Sequence, residues 1–441
     1  MTDYPSLSGP SLAREAVSRR TALRALGIGA GAAALGPALA ACGSSGSGGS
    51  ASGGGRGSTI TYSVQSFAQP ALKPFLAEFK QQTGITVKLQ NGPATGAALL
   101  TQVIPAFNSG TSPYDVMDTD DPSTGALVGA GWLSPLDSAL NQTFWNDLTP
   151  GMTSASKTWN SKDGKTYRVY HNWDMGYYWL RGDLLTAHHL TAPTTWDELV
   201  STGTELKAKT GMYAFADAAS KPGLTFVYLA YLAAQAGGQL YQFDDGTAQA
   251  FQFAHDLIYK HQIFPKDAIT WTYDQLNSSY LTNKVMSMRE WTFFWDTATA
   301  DKSWYKPAKI DITAPPAGPG GHKTWAGGWG MAVPKASKNQ EAALKFVKYM
   351  SSPDVAVRLA QANSFFVTAR KSVLAKLGST GIVADMKTYS DSGYVTPRPF
   401  HPQAARAEST IDDIGQAYLT NQLSLSQAMS QGKQRIAALG S

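Results

Sequence analysis

The sequence predicts an α/β fold built on helix-covered, mostly parallel sheets. Three observations carry this. From residue 59 the chain alternates strand and helix patterns at short spacing, which favours parallel strands joined by crossover helices. The 441 residues are 43% hydrophobic and only 16% charged, enough for two or three sizeable cores and too apolar for a disordered chain. A single cysteine excludes an internal disulfide and any cysteine-rich zinc site.

The first 58 residues read as address and tether. Ser18-Arg19-Arg20-Thr21 is a twin-arginine start, followed by an uncharged Ala/Gly-rich run from Ala25 to Ala41. That run is too short and too rich in small residues for a spanning helix and suits a signal-peptide core. It ends in Leu39-Ala40-Ala41-Cys42, which resembles the bacterial lipoprotein cleavage box, with lipid expected on the Cys42 sulfur. Residues 43–58 contain 8 Gly and 6 Ser, a flexible spacer that cannot bury a core. Its typical span is roughly 20–24 Å. Removing the +2 carried by residues 1–41 leaves +3 of the formal +5, thin evidence for nucleic acid.

The body then follows in order. Thr59–Val64 alternates and is β-branched, a strand; Leu72, Phe75, Leu76 and Phe79 keep helical spacing, and Gly84 ends that helix. Ile85–Leu89 is the second strand, Leu100, Val103, Ile104 and Phe107 mark the second helix, and Tyr114–Asp118 is the third strand. Ligands in such sheets sit beyond the carboxyl ends of the strands, here at Phe67, Asn91 and Asp118 to Asp121. Residues 174–300 are mainly helical, with Thr195-x-x-Glu198 as a capping box and helices over Phe226–Ala236 and Gly246–His261. From Ile310 short strands and Gly/Pro turns return; Ser337-x-x-Gln340 opens a helix to Met350, and 408–439 reads as two terminal helices.

Four stretches in this order resemble the family 1 extracellular solute-binding proteins, the sugar receptors of ATP-binding-cassette importers. Gly164-Lys165-Thr166-Tyr167 through Asp174 to Tyr177-Tyr178 is similar to the family's crossing strand. Pro193 to Leu199 is similar to its P-x-T-W-D-E-L helix start. Tyr280 to Met286 and on to Trp291 resembles its F-x-x-G-x-x-A-M…G-x-W segment, and Gly327-Gly328 through Ser337-Lys338-Asn339 to Phe346 its G-G…S-K-N…F pattern. Tyr170, Arg181 and Asn283 depart from that pattern and bear on ligand identity.

The resemblance implies a two-lobed clamshell. Lobe one is expected over 59–170 and 302–350, and lobe two over 171–301 and 351–441, with crossings near 167–173, 300 and 350. It also implies a saccharide ligand held between the lobes, hinge closure around it, and membrane permease subunits that read the closed shape. A monomer, anchored by lipid on the outer face of the cytoplasmic membrane, is expected. No cofactor, metal or nucleic acid is called for, and no catalytic residue.

A sugar needs aromatic faces for its C–H surfaces and angled donors and acceptors for its hydroxyls. Candidate ligand residues are therefore Phe67, Asp120 and Asp121 at strand ends, Asn172, Trp173 and Asp174 at the first crossing, and Glu290, Trp291 and Trp295. Trp325, Gly327 and Gly328 complete the set, since glycine admits a ligand close to backbone beside a stacking ring. Phe365, Phe366 and Arg398 rank lower, because such residues more often pack or face solvent. Trp132, Trp145, Trp159, Trp196 and Trp271 are assigned to structure. Two other classes remain open. Glu290 with Asp174 or Asp120 would serve a carbohydrate hydrolase, and Tyr177-Tyr178 would serve an iron-binding clamshell.

Overall fold

The computed structural model describes residues 58–306, 309–379 and 381–440. The twin-arginine segment, Cys42 and all of the spacer but Ser58 lie outside the described residues. The body opens as the alternation demands. Strand β1 (Thr59–Gln65) leads to helix α1 (Gln69–Thr83), which ends at Gly84 with φ 75, a left-handed residue whose N–H closes on the Lys80 carbonyl. Strand β2 (Thr86–Gly92) runs parallel to β1 along its full length, and Thr95 caps helix α2 (Gly96–Asn108). Strand β3 (Val116–Asp120) pairs parallel to β1 on its other side and passes directly into α3 (Asp121–Gly129).

Strand β3 starts and ends two residues later than its apolar pattern suggests. Asp115 just before it still donates its N–H to the Thr61 carbonyl (3.1 Å), while its carboxylate accepts hydrogen bonds from the Thr61 N–H (2.8 Å) and from Ser337 (2.6 Å), tying β1 to the loop ahead of the helix Gln340–Met350. Ser337 is thereby spent on Asp115, and the helix Gln340–Met350 starts at Asn339 without the expected side-chain cap. Thr195 does cap its helix, Trp196–Thr210, while Glu198 reaches back to Thr194.

A short hairpin, β4 (Ser161–Lys162) and β5 (Lys165–Thr166), precedes β6 (Arg168–Tyr170), β7 (Asp174–Met175) and β8 (Tyr177–Leu180). Strands β9 (Tyr213–Ala216), β10 (Val285–Glu290), β11 (Asp311–Thr313), β12 (Thr324–Gly327), β13 (Trp329–Ala332) and β14 (Val395–Pro397) follow among the helices. They form a five-stranded sheet β2-β1-β3-β13-β6, a four-stranded sheet β11-β8-β10-β9 and a three-stranded sheet β14-β12-β7.

Two expectations are corrected here. The sheets are mixed, not mostly parallel: β13 runs antiparallel to β3 and β6, and β8 antiparallel to β10 and β11. The second crossing also comes later than residue 300. Asp311–Thr313 still pairs with Tyr178–Leu180 in the four-stranded sheet, and the chain rejoins the first sheet only at Trp329. The four-stranded sheet has its strands β8 and β10 buried on both faces, and the helix Leu224–Ala236, which packs on β12, is buried nearly all round. Among the described residues no helix is long and apolar enough to cross a membrane.

Candidate functional site

The carboxyl end of β3 carries the first two candidates. Asp120 is the N-cap of α3: its Oδ1 accepts from the Ser123 N–H (3.1 Å), and the Ser123 hydroxyl accepts from the Asp120 N–H (3.1 Å). Asp121 is buried and ion-paired with the buried Arg168. Its Oδ1 also accepts from the Tyr170 hydroxyl (2.6 Å) and its Oδ2 from the Gly328 N–H (3.3 Å). Arg168 donates onward to Asn160 (2.9 Å) and to the Thr119 carbonyl (2.9 Å). Asp121 thus fastens β3, β6 and β13 together.

The crossing residues are fasteners too. Asn172 donates to the Phe365 carbonyl (2.7 Å) and accepts from the Trp329 N–H (3.3 Å). Trp173 is buried with its ring edge-on to Tyr170 at 5.4 Å. Asp174 accepts from the Thr292 N–H (2.9 Å), the Thr292 hydroxyl (2.6 Å) and the Met175 N–H (2.8 Å). Burial pushes its carboxyl up to about 6, against the pull of those hydrogen bonds. Gly328 is needed for packing, since a side chain there would meet the Asn172 carbonyl at 2.3 Å. The loop positions of Asp121, Asn172 and Asp174 made them look available; each is spent on a distant segment.

The aromatic candidates meet elsewhere. Trp291 and Trp325 contact edge to face, with centroids 5.2 Å apart. The Trp291 indole N–H donates to the Tyr273 hydroxyl (2.8 Å). Arg289, bidentate to the buried Asp217 (2.5 and 2.7 Å), holds its guanidinium 4.9 Å from the Trp291 ring. On the far side Arg398 lies 5.0 Å from the Trp325 ring and 5.4 Å from Phe226, with Nε and Nη2 on one oxygen of Glu408. The edge-to-face pair is therefore flanked by two held guanidiniums. Glu290, fully buried, accepts from the Trp291 N–H (2.9 Å), and its other oxygen has no partner among the described residues. Burial, opposed by Arg289, holds its carboxyl well above the usual range. Trp295 departs from this group: it opens the helix region Phe294–Ala300, and its ring turns to Trp179 and Tyr305, each 6.3 Å away.

Trp325 also lines a cavity of about 430 Å³, with Tyr241, Leu240, Thr396, Pro397 and Phe400 around it. Phe400 is 54% exposed and rests on Trp159 at 5.0 Å. Phe67, 47% exposed, lies between Phe293 (5.5 Å) and Phe365 (5.0 Å), joining the end of β1 to the segment after β10. Sequence reasoning passed over Tyr241 and Phe400 and ranked Arg398 low. The usable signal was Pro397-Arg398-Pro399-Phe400, where two prolines stiffen a loop bearing a cation and an aromatic ring. Tyr177 and Tyr178 sit in the core of the four-stranded sheet; Tyr178 donates to Ser287 (2.9 Å), and burial raises the Tyr177 phenol well above its ordinary range. Neither is set up as a phenolate. Among the described residues no three His, Cys, Asp or Glu side chains cluster to hold a metal.

Comparison with known proteins places this architecture. Residues 64–357 match the bacterial extracellular solute-binding protein family, and the chain belongs to it. A probable ABC transporter-binding protein of Deinococcus radiodurans is 26% identical over 311 residues, 66% of this chain and 72% of that one. The maltose-bound MalE3 of T. maritima superposes with TM-score 0.78 at 23% identity, over 86% of this chain and 99% of that one. A solute-binding protein of Thermotoga lettingae bound to α-D-tagatose gives 0.77 at 19%, over 87% and 99%. The GacH receptor of Streptomyces glaucescens, solved unliganded and with acarbose, gives 0.73 at 22%, over 87% and 98%. The fold is that of the two-lobed solute-binding proteins.

Proposed function

We propose that this chain captures a sugar or polyol between two lobes and hands it to an ABC importer. The family assignment supports a binding role in import. The observation that carries the ligand class is the Trp291–Trp325 pair, whose Trp325 lines the cavity together with Tyr241, Phe400, Lys323 and Thr396, with Arg398 5.0 Å from the Trp325 ring. Indole faces accept the C–H surface of a sugar ring, and the polar rim serves its hydroxyls. The solved relatives in complex with maltose, tagatose and acarbose are consistent with that class. The lobes are proposed as 59–170 with 329–350, and 171–328 with 351–441. Cys42 is the proposed lipid attachment site of a monomer exported by the twin-arginine route and held on the outer face of the cytoplasmic membrane. No catalysis is proposed: Glu290 and Asp174, the acid and base a hydrolase would need, are both engaged with backbone N–H groups.

A thermal-shift screen of saccharides and polyols tests this. A ligand at 100 times its dissociation constant adds about 2.7 kcal/mol to stability, a shift of several degrees. A flat response across maltose, tagatose and ribitol, or turnover of any oligosaccharide, would sink the proposal.

A further inference from the structure

Arg289 is fully buried on β10, and its partner Asp217, also fully buried, directly follows the neighbouring strand β9. Nε and Nη2 donate to the two Asp217 oxygens. The third nitrogen, Nη1, is buried and has no partner among the described residues. What the guanidinium has instead is rings, Trp291 at 4.9 Å and Tyr273 at 5.8 Å. Those rings are joined to each other, because the Trp291 indole N–H donates to the Tyr273 hydroxyl (2.8 Å). Gly176 makes room for the Arg289 stem: a side chain there would put its first carbon 2.9 Å from Arg289 Cδ. Arg289 also takes the place of the glycine in the G-x-W pattern. The sheet does not depend on this pair. Strands β9 and β10 already hold each other through backbone pairing of Val285 with Tyr213, Ser287 with Phe215 and Met288 with Ala216. A buried ion pair between strands already joined gains little stability over its desolvation cost.

We propose that Asp217 and Arg289 form a positioning pair for Trp291, setting the attitude in which that ring meets ligand. This rests on the place of Trp291 in the site proposed above and deepens it. Asp217 fixes the plane of the guanidinium by its two-pronged contact. The guanidinium attracts the electron-rich face of the indole, and Tyr273 holds the indole N–H. With the ring held from these sides and edge to face with Trp325, a ligand does not have to order it on binding. Arg289 is fully buried, so it acts through the ring and not by touching ligand.

A thermodynamic cycle in the full-length chain tests this, with maltose, tagatose and ribitol titrated calorimetrically at neutral pH. Arg289→Met combined with Asp217→Val removes both charges together. No buried charge is left alone, so the melting temperature should stay within a few degrees of wild type. Affinity for the tightest-binding probe should fall roughly 5- to 20-fold. In a Trp291→Ala background the same double substitution should have no further effect, because the ring it positions is gone. Arg289→Lys keeps the charge and loses the fork, and should bind better than the double variant but worse than wild type. The near-ultraviolet circular dichroism band lost in Trp291→Ala should weaken in the double variant as well, a change that a purely structural pair would not produce. Wild-type affinity in the double variant, or an equal loss with and without Trp291, would overturn the positioning role and leave Trp291 in the site. Failure of both the double variant and Arg289→Lys to fold would also overturn it, by assigning the pair to the fold. Unchanged affinity in Trp291→Ala, or no binding of any probe to wild type, would instead bring down the reading of the site itself, and this role with it.

Discussion

The end of β3 and the Trp325 corner are built from the same kinds of residue, acids and arginines beside aromatic rings, yet they behave oppositely. At β3, Asp121 meets Arg168, Tyr170 and the Gly328 N–H, so both of its oxygens are spent. At the corner, Arg398 and Glu408 meet each other through one oxygen and leave polar atoms over. The first arrangement locks three strands. The second leaves capacity for something from outside. Residue type does not separate them; the count of satisfied hydrogen bonds does.

Removing Asp121 should have the largest effect. Asp121→Ala strands the buried Arg168 guanidinium, and a loss of about 3–5 kcal/mol in urea unfolding is expected. A loss below about 1 kcal/mol would erase the contrast, because Asp121 would then be as unspent as the corner groups.

The crossing residue Asp174 sharpens the same point through pH. Its folded value near 6 lies above the ordinary 3.8, so its proton is held more tightly in the folded state. That contribution is fully present below about pH 4 and is lost as pH rises through about 6, roughly 3 kcal/mol in all. Asp174→Asn should therefore flatten stability across pH 4 to 7 relative to wild type. An unchanged profile would mean the carboxyl is not buried as described.

Trp291→Ala should separate binding from stability. Because Trp291 is only half-buried, the affinity for a neutral saccharide should fall by about 2 kcal/mol, near thirtyfold, with a smaller change in melting temperature. Unchanged affinity would remove Trp291 from the site. The smallest effect is expected at Phe67, whose half-exposed ring joins the end of β1 to Phe293 and Phe365. Phe67→Ala should cost about 0.5–1.5 kcal/mol, read by thermal unfolding. A larger loss would make it a core residue in spite of its exposure.

Much of the fold was legible locally. Gly84 stops α1 because glycine takes the left-handed turn at no steric cost, and the period-2 and period-3.6 patterns locate β1, α1, β2 and α2, although β2 runs three residues past Leu89 and α2 starts four residues before Leu100. The four motif stretches pointed to the family that residues 64–357 match. Part of the candidate site was legible as well: Trp291 and Trp325 do meet. Asp121, Asn172 and Asp174 were chosen on the same grounds and are bound internally, while Arg398, ranked below them, carries the free donor.

Sequence by itself thus determined the helix and strand periods, the turn points and the supply of aromatic and charged side chains. Those depend on neighbours a few residues away. Tertiary structure decided which polar atoms are spent. Asp121 finds Arg168 through the β3–β13–β6 register, and Arg398 finds Trp325 through the pairing of β12 with β14. Such meetings are set by packing between segments far apart in the chain, and a hydrogen bond is made or left open by fractions of an ångström that no local pattern encodes.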